Sequence, residues 1–321
     1  MEEDNRLVVS QSQDDFNRAR MKAMLSEVQH FMNIDKDNLL SFNDVKSILN
    51  PKSEVYRGMQ IVPIKLIVGS EGRYRDFNNS FLPRKDFLRS RWESVDQARL
   101  KDITLPPIQL YEIGGAYFVR DGNHRVSVAK TQGVESIDAD VTTLSSEIVI
   151  TPGMTVSELK ERVIDYEKRI FYEKTRFGEL TGDNNLDFSA PGQYDVIYNH
   201  ILVHKYYINQ GIPTEIAFSD ALISWYRNVY NPIMQAIHQE WIELNFPGSK
   251  PGDLYVWLVK HWDFLKKQYG MHYSLICAAR DFTVKYGQSR GRFFRFIAAL
   301  VDRWLHKIAK QFHHIKPNDQ P

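Results

Sequence analysis

A polar segment in the first half of the chain, Asp121-Gly-Asn-His-Arg125, contains residue types that bind phosphate groups. It stands between a predicted strand and a predicted helix, and the first N–H groups of a helix lack internal partners and favour an anion. Arg125 would offer a planar fork to phosphate oxygens, and His124 would donate hydrogen bonds. Gly122 has no Cβ, so an anion can approach the backbone. The segment predicts a phosphate site at Gly122, Asn123, His124 and Arg125.

The same spacing also fits a purely structural role. In that interpretation Asp121 or Asn123 caps the helix, and the guanidinium of Arg125 lies in solvent. Spacing alone does not separate the two interpretations.

A second charged cluster follows a predicted strand and consists of Glu71, Arg73, Arg75 and Asp76. Phosphoryl transfer needs cations for the developing charge, which the two arginines would supply together with the phosphate site. It also needs a carboxylate that orients or deprotonates the acceptor, a role that fits Glu71. Asp76 and Asp121 would supply the one or two carboxylates that Mg²⁺ takes. The alternative is a local salt-bridge network. Further arginines extend the positive charge: Arg84, Arg89 and Arg91.

Strands and helices alternate around both clusters. The predicted elements are a strand at 60–68, a long ordered loop at 71–90, a helix at 91–101, strands at 107–113 and 116–120, a helix at 126–132 and a strand at 136–142. Pro63 predicts an edge position or a break in the first strand. Gly114-Gly115 predicts a hairpin turn between the second and third strands.

The segment from Asp121 to Arg125, followed by Val-Ser-Val-Ala and a further strand, resembles the nucleotide-binding motif of the ParB/sulfiredoxin superfamily. Ile61–Val68 resembles the opening strand of that superfamily, and Pro106–Leu110 resembles its middle strand. The resemblance spans about residues 55–145 and implies an α/β domain of that type.

A helical C-terminal region with Phe246-Pro and Asp253-Leu-Tyr-x-Trp257 is similar to a bacterial family that joins such a region to this domain. Within the superfamily, the motif chemistry is most similar to that of free-serine kinases, in which a glutamate after the opening strand is the base toward the substrate hydroxyl. Glu71 stands at about that position. Asn123 replaces the cysteine that sulfiredoxin needs, which excludes sulfiredoxin chemistry.

The resemblance implies that ATP or CTP binds at the 121–125 segment with Mg²⁺, and that Asp121 and His124 join Glu71 in catalysis. The resulting hypothesis is a nucleotide-dependent phosphotransferase or NTPase with a small-molecule acceptor. One alternative is a DNA-binding regulatory or partitioning-like protein, and another is a scaffold with an inactive pocket. The sequence leaves the acceptor and the oligomeric state open, and a homodimer is compatible with it.

Composition and organisation predict an α+β protein. Apolar residues make up 43% and charged residues 25% of the 321 residues, which is typical of a globular chain. The pattern predicts an N-terminal helical segment at 1–54, the ParB/sulfiredoxin-like domain at 55–150 and an all-α domain at 151–321. A net charge of +1 does not demand a nucleic-acid partner. We expect no membrane span and a cytoplasmic location, because no apolar run approaches about 20 residues and no secretory signal opens the sequence.

Four weaker features of the helical region have structural interpretations. His200 and His204 lie one helical turn apart, a spacing that can bind zinc, but packing against neighbouring helices is favoured. Arg290–Lys310 predicts a basic amphipathic helix that covers the core or contacts DNA or a membrane surface. Cys277 is expected to be buried in a helix. The tryptophans at helical positions are expected in the core: Trp225, Trp241, Trp257, Trp262 and Trp304.

Overall fold

The computed structural model describes residues 2–29, 37–210 and 214–287, and its contacts divide the chain into two units between Tyr166 and Glu167. This division does not coincide with the predicted boundaries near residues 54 and 150. The predicted helix at Arg290–Lys310, including Trp304, lies outside the described residues.

The described part of the first unit combines a mixed sheet with helices. Its strands are β1 (Leu40–Ser41), β2 (Glu54–Pro63), β3 (Ile67–Ser70), β4 (Ile108–Ile113), β5 (Ala116–Asp121) and β6 (Ser136–Leu144). Its helices are α1 (Glu2–Gln29), α2 (Phe42–Leu49), α3 (Arg89–Leu100), α4 (Asn123–Thr131) and α5 (Val156–Thr175), the last of which continues into the second unit.

The strand order is β1-β3-β5-β4-β6-β2. β1, β3 and β5 are parallel neighbours, whereas β4 is antiparallel to β5 and parallel to β6. β2 pairs antiparallel with β6 at the sheet edge. Because β1, β3 and β5 are parallel, their carboxyl ends share one edge of the sheet. The segments that follow these three strands therefore begin side by side, as at the ligand sites of many α/β proteins.

The hairpin between β4 and β5 is confirmed. Gly114 and Gly115 have φ values of 60° and 80°, and a two-residue turn with two positive φ angles matches the right-handed twist of the strands. A Cβ on Gly114 would also lie 2.3 Å from the carbonyl oxygen of Ile148, so only glycine fits there.

The predicted strand at 60–68 is divided in two. β2 ends at Pro63, a 3₁₀ turn covers Ile64–Leu66, and β3 begins at Ile67. Proline cannot donate a ladder hydrogen bond, so the break and the edge position of β2 both agree with the expectation from Pro63.

Two apolar cores lie on opposite faces of the sheet. The first buries residues of α4 and of the 71–90 loop against the strands: Phe77, Phe81, Ile108, Leu110, Val119, Val126 and Ala129. The second packs α2 and the start of α5 on the other face: Phe42, Val45, Ile113, Phe118, Leu159 and Val163. The long loop is therefore ordered, as predicted, because its own aromatic side chains belong to a core.

A third cluster joins α1, α3 and α4. The rings of Phe16 and Trp92 meet edge to face at 5.6 Å, and Val128 of α4 packs beside them. The N-terminal helix α1 therefore packs on α3, the neighbour of α4, and belongs to the same unit as the sheet.

Side-chain caps fix the starts of two helices, α2 and α5. The backbone N–H of Asp44 donates to the Ser41 hydroxyl at 3.4 Å before α2. Thr155 and Glu158 exchange hydrogen bonds of 2.8 and 3.2 Å at the start of α5, which is the reciprocal pattern of a capping box.

Helices alone make up the regular structure described in the second unit. After α5 come α6 (Phe177–Thr181), α7 (Gln193–Asn209), α8 (Phe218–Trp225), a π-helical turn (Tyr226–Tyr230), α9 (Asn231–Gln239), α10 (Ile242–Asn245), α11 (Pro251–Tyr269) and α12 (Leu275–Tyr286). The predicted α+β fold followed by a helical region is thus confirmed.

Two burial predictions for the helical region were wrong, while Trp225 is buried as expected. Trp241 has 64% of its surface exposed and a φ of 53°, because it lies in the left-handed joint between α9 and α10 and leaves the helical periodicity. Cys277 is exposed, because α12 turns Ala278 and Ala279 toward the core instead. No helix within the described ranges is long and apolar enough to span a membrane.

Candidate functional site

The 121–125 segment forms the joint between β5 and α4. Gly122 is the N-cap residue, with a φ of 105°, and α4 begins at Asn123 rather than at the expected Val126. A Cβ on Gly122 would lie 2.4 Å from Cγ2 of Ile108 on β4. Glycine is therefore required by its backbone conformation and by its packing on β4.

An open cleft of 470 Å³ lies beside this joint. It is lined by Arg73, Arg91, Ser94, Val95, Leu105, Pro106, Asp121, Gly122, Asn123, His124 and Arg125. The motif segment thus meets one arginine from the loop after β3 and another from α3. Three arginines against one aspartate make the cleft cationic.

The side chain of Arg125 is only 15% exposed, and its guanidinium is bound by other groups of the chain. Its Nη1 donates to the carbonyl oxygens of Pro106 and Pro107, the latter at 3.0 Å, and its Nη2 pairs with the carboxylate of Asp121. Arg125 therefore connects α4 to the segment before β4. The alternative in which Arg125 lies free in solvent is not what the structure shows.

Two buried polar atoms at the start of α4 have no hydrogen-bond partner within the described residues. They are Oδ1 of Asn123, whose residue is only 8% exposed, and Nδ1 of His124. Leaving a buried polar atom unpaired costs roughly 1–3 kcal/mol, so each of these two atoms is expected to bind a water molecule or a ligand. Both residues line the cleft.

His124 is held as a neutral imidazole. Its ring meets Phe77 edge to face at 5.5 Å, and burial lowers its pKa to about 4, with further lowering by the charges of Arg73 and Arg91. A neutral imidazole has one N–H donor and one acceptor nitrogen. At neutral pH His124 therefore contributes a hydrogen bond to the cleft rather than a positive charge.

Arg91 also lines the cleft, although the sequence pattern predicts it only as one of the neighbouring arginines that extend the positive charge. It lies in the first turn of α3, its side chain is exposed, and it makes no ion pair with any residue the structure describes. The indole Nε1 of Trp92 donates to the Ser127 hydroxyl of α4 at 2.8 Å, which docks the two helices together. That contact brings Arg91 to the cleft.

Asp76 forms ion pairs within the loop after β3 and does not line the cleft. Its carboxylate pairs with Arg73 at 3.3 Å and with Lys85 at 2.9 Å, and it is not among the residues that line the cleft. Part of the predicted salt-bridge network is therefore present. The pairing with Asp76 also orients Arg73, whose side chain remains half exposed.

Two other predicted site residues do not line this cleft. Glu71 follows β3 directly, and its N–H donates to the carbonyl of Val119 at 3.0 Å. Its charge acts on Tyr111, whose pKa is raised by burial and then by Glu71. Arg75 stacks on Tyr74 at 5.4 Å and lines a different cleft.

No metal cluster is assembled from the described residues, since none of their His, Cys, Asp and Glu side chains form a group of three or more. His200 contacts the Tyr255 hydroxyl at 3.3 Å, and His204 contacts the Ser224 hydroxyl at 3.0 Å. The packing interpretation of the two histidines is therefore supported. A Mg²⁺ ion held by one or two carboxylates at Asp76 or Asp121 stays a prediction.

The fold and the cleft together define the protein as an α+β chain with a cationic cleft at the start of a helix. No protein-family model matches the chain, and a search of curated proteins finds no significant match. The resemblance to the ParB/sulfiredoxin superfamily therefore stays a prediction, and the function must be argued from the cleft.

Proposed function

We propose that the protein binds a nucleoside triphosphate, ATP or CTP, with its phosphates at the start of α4, and that it is a phosphotransferase or NTPase. The observation that carries this proposal is the pair of unpartnered buried atoms on Asn123 and His124 beside three arginines. A polyphosphate supplies negative charge for the arginines and oxygens that accept from the imidazole and the helix N–H groups.

The amide of Asn123 completes this recognition. Its buried Oδ1 accepts hydrogen bonds. A half-turn of the amide group would put the donating NH2 at the same position, and the two orientations have nearly the same shape. A phosphate oxygen would be bound by the donor orientation, and a ribose hydroxyl would be bound by the acceptor orientation. Either partner satisfies an atom that is otherwise buried and unpaired.

The proposed transfer breaks the bond between the terminal phosphorus and its bridging oxygen and forms a bond to the oxygen of water or of an acceptor hydroxyl. The proton of that nucleophile passes to a carboxylate. Asp121 is the carboxylate that lines the cleft, and its side chain is 68% exposed. Asp121 therefore fits the role of base or of Mg²⁺ ligand, with phosphate and water oxygens as the remaining ligands.

The resemblance to free-serine kinases supports a base at Glu71, but the contacts of Glu71 lie away from the cleft. We therefore propose Asp121 as the first candidate for this role in the nucleotide cleft. The variants Asp121→Asn and Glu71→Gln, each assayed for turnover and for nucleotide binding, distinguish the two candidate bases. The variant of the true base retains binding and loses turnover.

Thermal unfolding in the presence of ATP, CTP, GTP or ADP with Mg²⁺ tests the proposal. A ligand at about 100 times its Kd stabilises by about 2.7 kcal/mol, which raises the melting temperature of a chain of this length by roughly 4 °C. Calorimetric titration then gives stoichiometry, and phosphate release gives turnover. Unchanged melting with all four nucleotides at millimolar concentration would contradict the proposal.

The same protein preparation can distinguish the DNA-binding alternative from nucleotide binding. Binding of a labelled duplex, measured by fluorescence anisotropy at two salt concentrations, should weaken steeply with salt if phosphates of DNA are the ligand. If a mononucleotide binds and the duplex does not, the enzyme hypothesis is favoured.

A further inference from the structure

A second cleft, of 570 Å³, lies in the first unit. It is lined by Asn38, Leu39, Leu40, Ser41, Asp44, Tyr74, Arg75, Val156, Ser157 and Lys160. These residues include the whole of β1, one residue of α2, three residues near the start of α5 and two residues of the loop after β3.

The two clefts flank one loop. β1, β3 and β5 are adjacent parallel strands, and the nucleotide cleft includes the end of β5 whereas the second cleft includes β1. The loop that follows the central strand, β3, separates them. Arg73 of this loop lines the nucleotide cleft, and Arg75, two residues later, lines the second cleft. One short segment thus contributes a cation to each cleft.

The cations of the second cleft have no acidic partner. Neither Arg75 nor Lys160 makes an ion pair with a described residue, although many of the exposed cations of this unit do. They come from different elements, the loop after β3 and α5, and converge on one concave surface. The guanidinium carbon of Arg75 lies over the ring of Tyr74, 5.4 Å from the ring centroid.

The remaining wall of the second cleft is mixed. Its apolar part is lined by the half-buried Val156 and the edges of Leu39 and Leu40, and Asp44 contributes one exposed carboxylate. Two cations against one carboxylate leave the cleft with a net positive charge. An apolar wall beside two cations without ion-pair partners among the described residues suits a small organic anion better than a simple inorganic ion.

We infer that the second cleft binds a small organic anion, carrying a carboxylate or a phosphate group, between Arg75 and Lys160. The geometry that supports this is the convergence of two unpaired cations on a cleft that shares its loop with the nucleotide cleft. The inference that this anion is the second substrate of the transfer rests on the proposed function. The inference that the anion binds in this cleft does not. Glu71, which opens the shared loop, lies at the end of β3 between the ends of β1 and β5.

Calorimetric titration of the full chain with malonate and, separately, with inorganic phosphate tests the inference, with the nucleotide cleft first saturated by ATP. We expect one site for at least one of the two probes, and the probe that binds identifies the anionic group. The variant Arg75→Gln/Lys160→Gln should bind that probe at least about tenfold more weakly, because it loses two charge-assisted hydrogen bonds. Its affinity for ATP should be unchanged.

The matched control is Lys52→Gln/Arg57→Gln, which removes the same charge from exposed positions outside both clefts. It should retain the probe affinity of the unmodified protein. Equal affinities of the Arg75/Lys160 variant and this control, or no binding of either probe to ATP-saturated protein, would overturn the inference. If ATP itself does not bind, the proposed function fails, and titration without ATP still decides the anion site.

Discussion

Trp92 of α3 donates its indole N–H to the hydroxyl of Ser127 on α4 at 2.8 Å, and both residues are fully buried. This hydrogen bond crosses the interface between the two helices that line the cationic cleft. Arg91 precedes the donor, and Asn123 lies one turn before the acceptor. The position of Arg91 relative to the amide of Asn123 therefore depends on a buried contact that lies outside the cleft.

Ser127→Ala should destabilise the protein by about 1–3 kcal/mol, because it leaves the buried indole N–H of Trp92 without an acceptor. Urea denaturation, followed by tryptophan fluorescence, measures the change. Ser90→Ala, on the exposed side of α3, is the control and should change the free energy of unfolding by less than about 0.5 kcal/mol. If the two variants are equally stable, the Trp92–Ser127 bond does not dock the helices.

Gly122→Ala and Gly133→Ala form a matched pair at the two ends of α4. Both residues have positive φ, 105° and 71°, so each alanine should cost about 1–2 kcal/mol in backbone strain. Only at Gly122 would the new Cβ also meet Ile108, whereas nothing lies within 4 Å at Gly133. The clash should add about 1–3 kcal/mol at Gly122.

Thermal and urea unfolding of both glycine variants provide the measurement. A smaller loss at Gly122 than at Gly133 would contradict the packing of the joint on β4. Because Gly122→Ala also displaces the start of α4, its nucleotide affinity should fall as well, whereas Gly133→Ala should retain the affinity of the unmodified protein.

The strand–turn–helix joint could be predicted from the sequence because its signals are local. The alternating apolar residues of β4 and β5, the paired glycines of their turn and the glycine at 122 all lie within one stretch of chain. The start of α4 was predicted three residues late, because Asn123, His124 and Arg125 form a polar run that looks like a turn. The positive φ of Gly122 completes that turn in a single residue.

The composition of the two clefts could not be predicted in the same way. It depends on β5 lying between β3 and β4, a pairing of strands distant in sequence. Arg73 and Arg75 are two residues apart and were assigned to one site, yet the loop directs them to different clefts. Arg91 joins the site only through the packing of α3 on α4. Spacing within a loop does not reveal such non-local geometry.

Arg91→Gln should weaken ATP binding with little change in the free energy of unfolding, whereas Arg125→Gln should lower the free energy of unfolding. Arg91 makes no ion pair within the described chain, so its loss should change the free energy of unfolding by less than about 0.5 kcal/mol. Its loss should weaken ATP binding about tenfold, because a charge-assisted hydrogen bond to phosphate disappears. Arg125→Gln should instead lower stability by about 1–3 kcal/mol, because its guanidinium binds the carbonyls of Pro106 and Pro107.

Calorimetry and urea denaturation of the same preparations measure both quantities. Arg57→Gln, on the exposed strand β2, is the charge control for both arginines. If Arg91→Gln binds ATP as tightly as this control does, Arg91 is not a phosphate ligand.

The ionisation of His124 should report ligand binding directly. In the free protein its pKa is lowered to about 4 by burial and by Arg73 and Arg91. Bound phosphate oxygens place negative charge beside the imidazole, which favours the protonated form, so the pKa should rise when ATP binds. Because the complex then binds more protons than the free protein, ATP affinity should increase as the pH falls through the raised pKa of the bound form and should level off below the free pKa of about 4.

NMR titration of imidazole-labelled protein, with and without ATP, measures this shift, and His124→Gln assigns the resonance. The variant Arg91→Gln provides the internal check, because removal of a nearby positive charge should raise the pKa of His124 even without ligand, whereas Arg57→Gln should leave it unchanged. An unchanged pKa in the presence of saturating ATP would mean that the phosphates lie away from the imidazole. The start of α4 would then not be where the nucleotide is held.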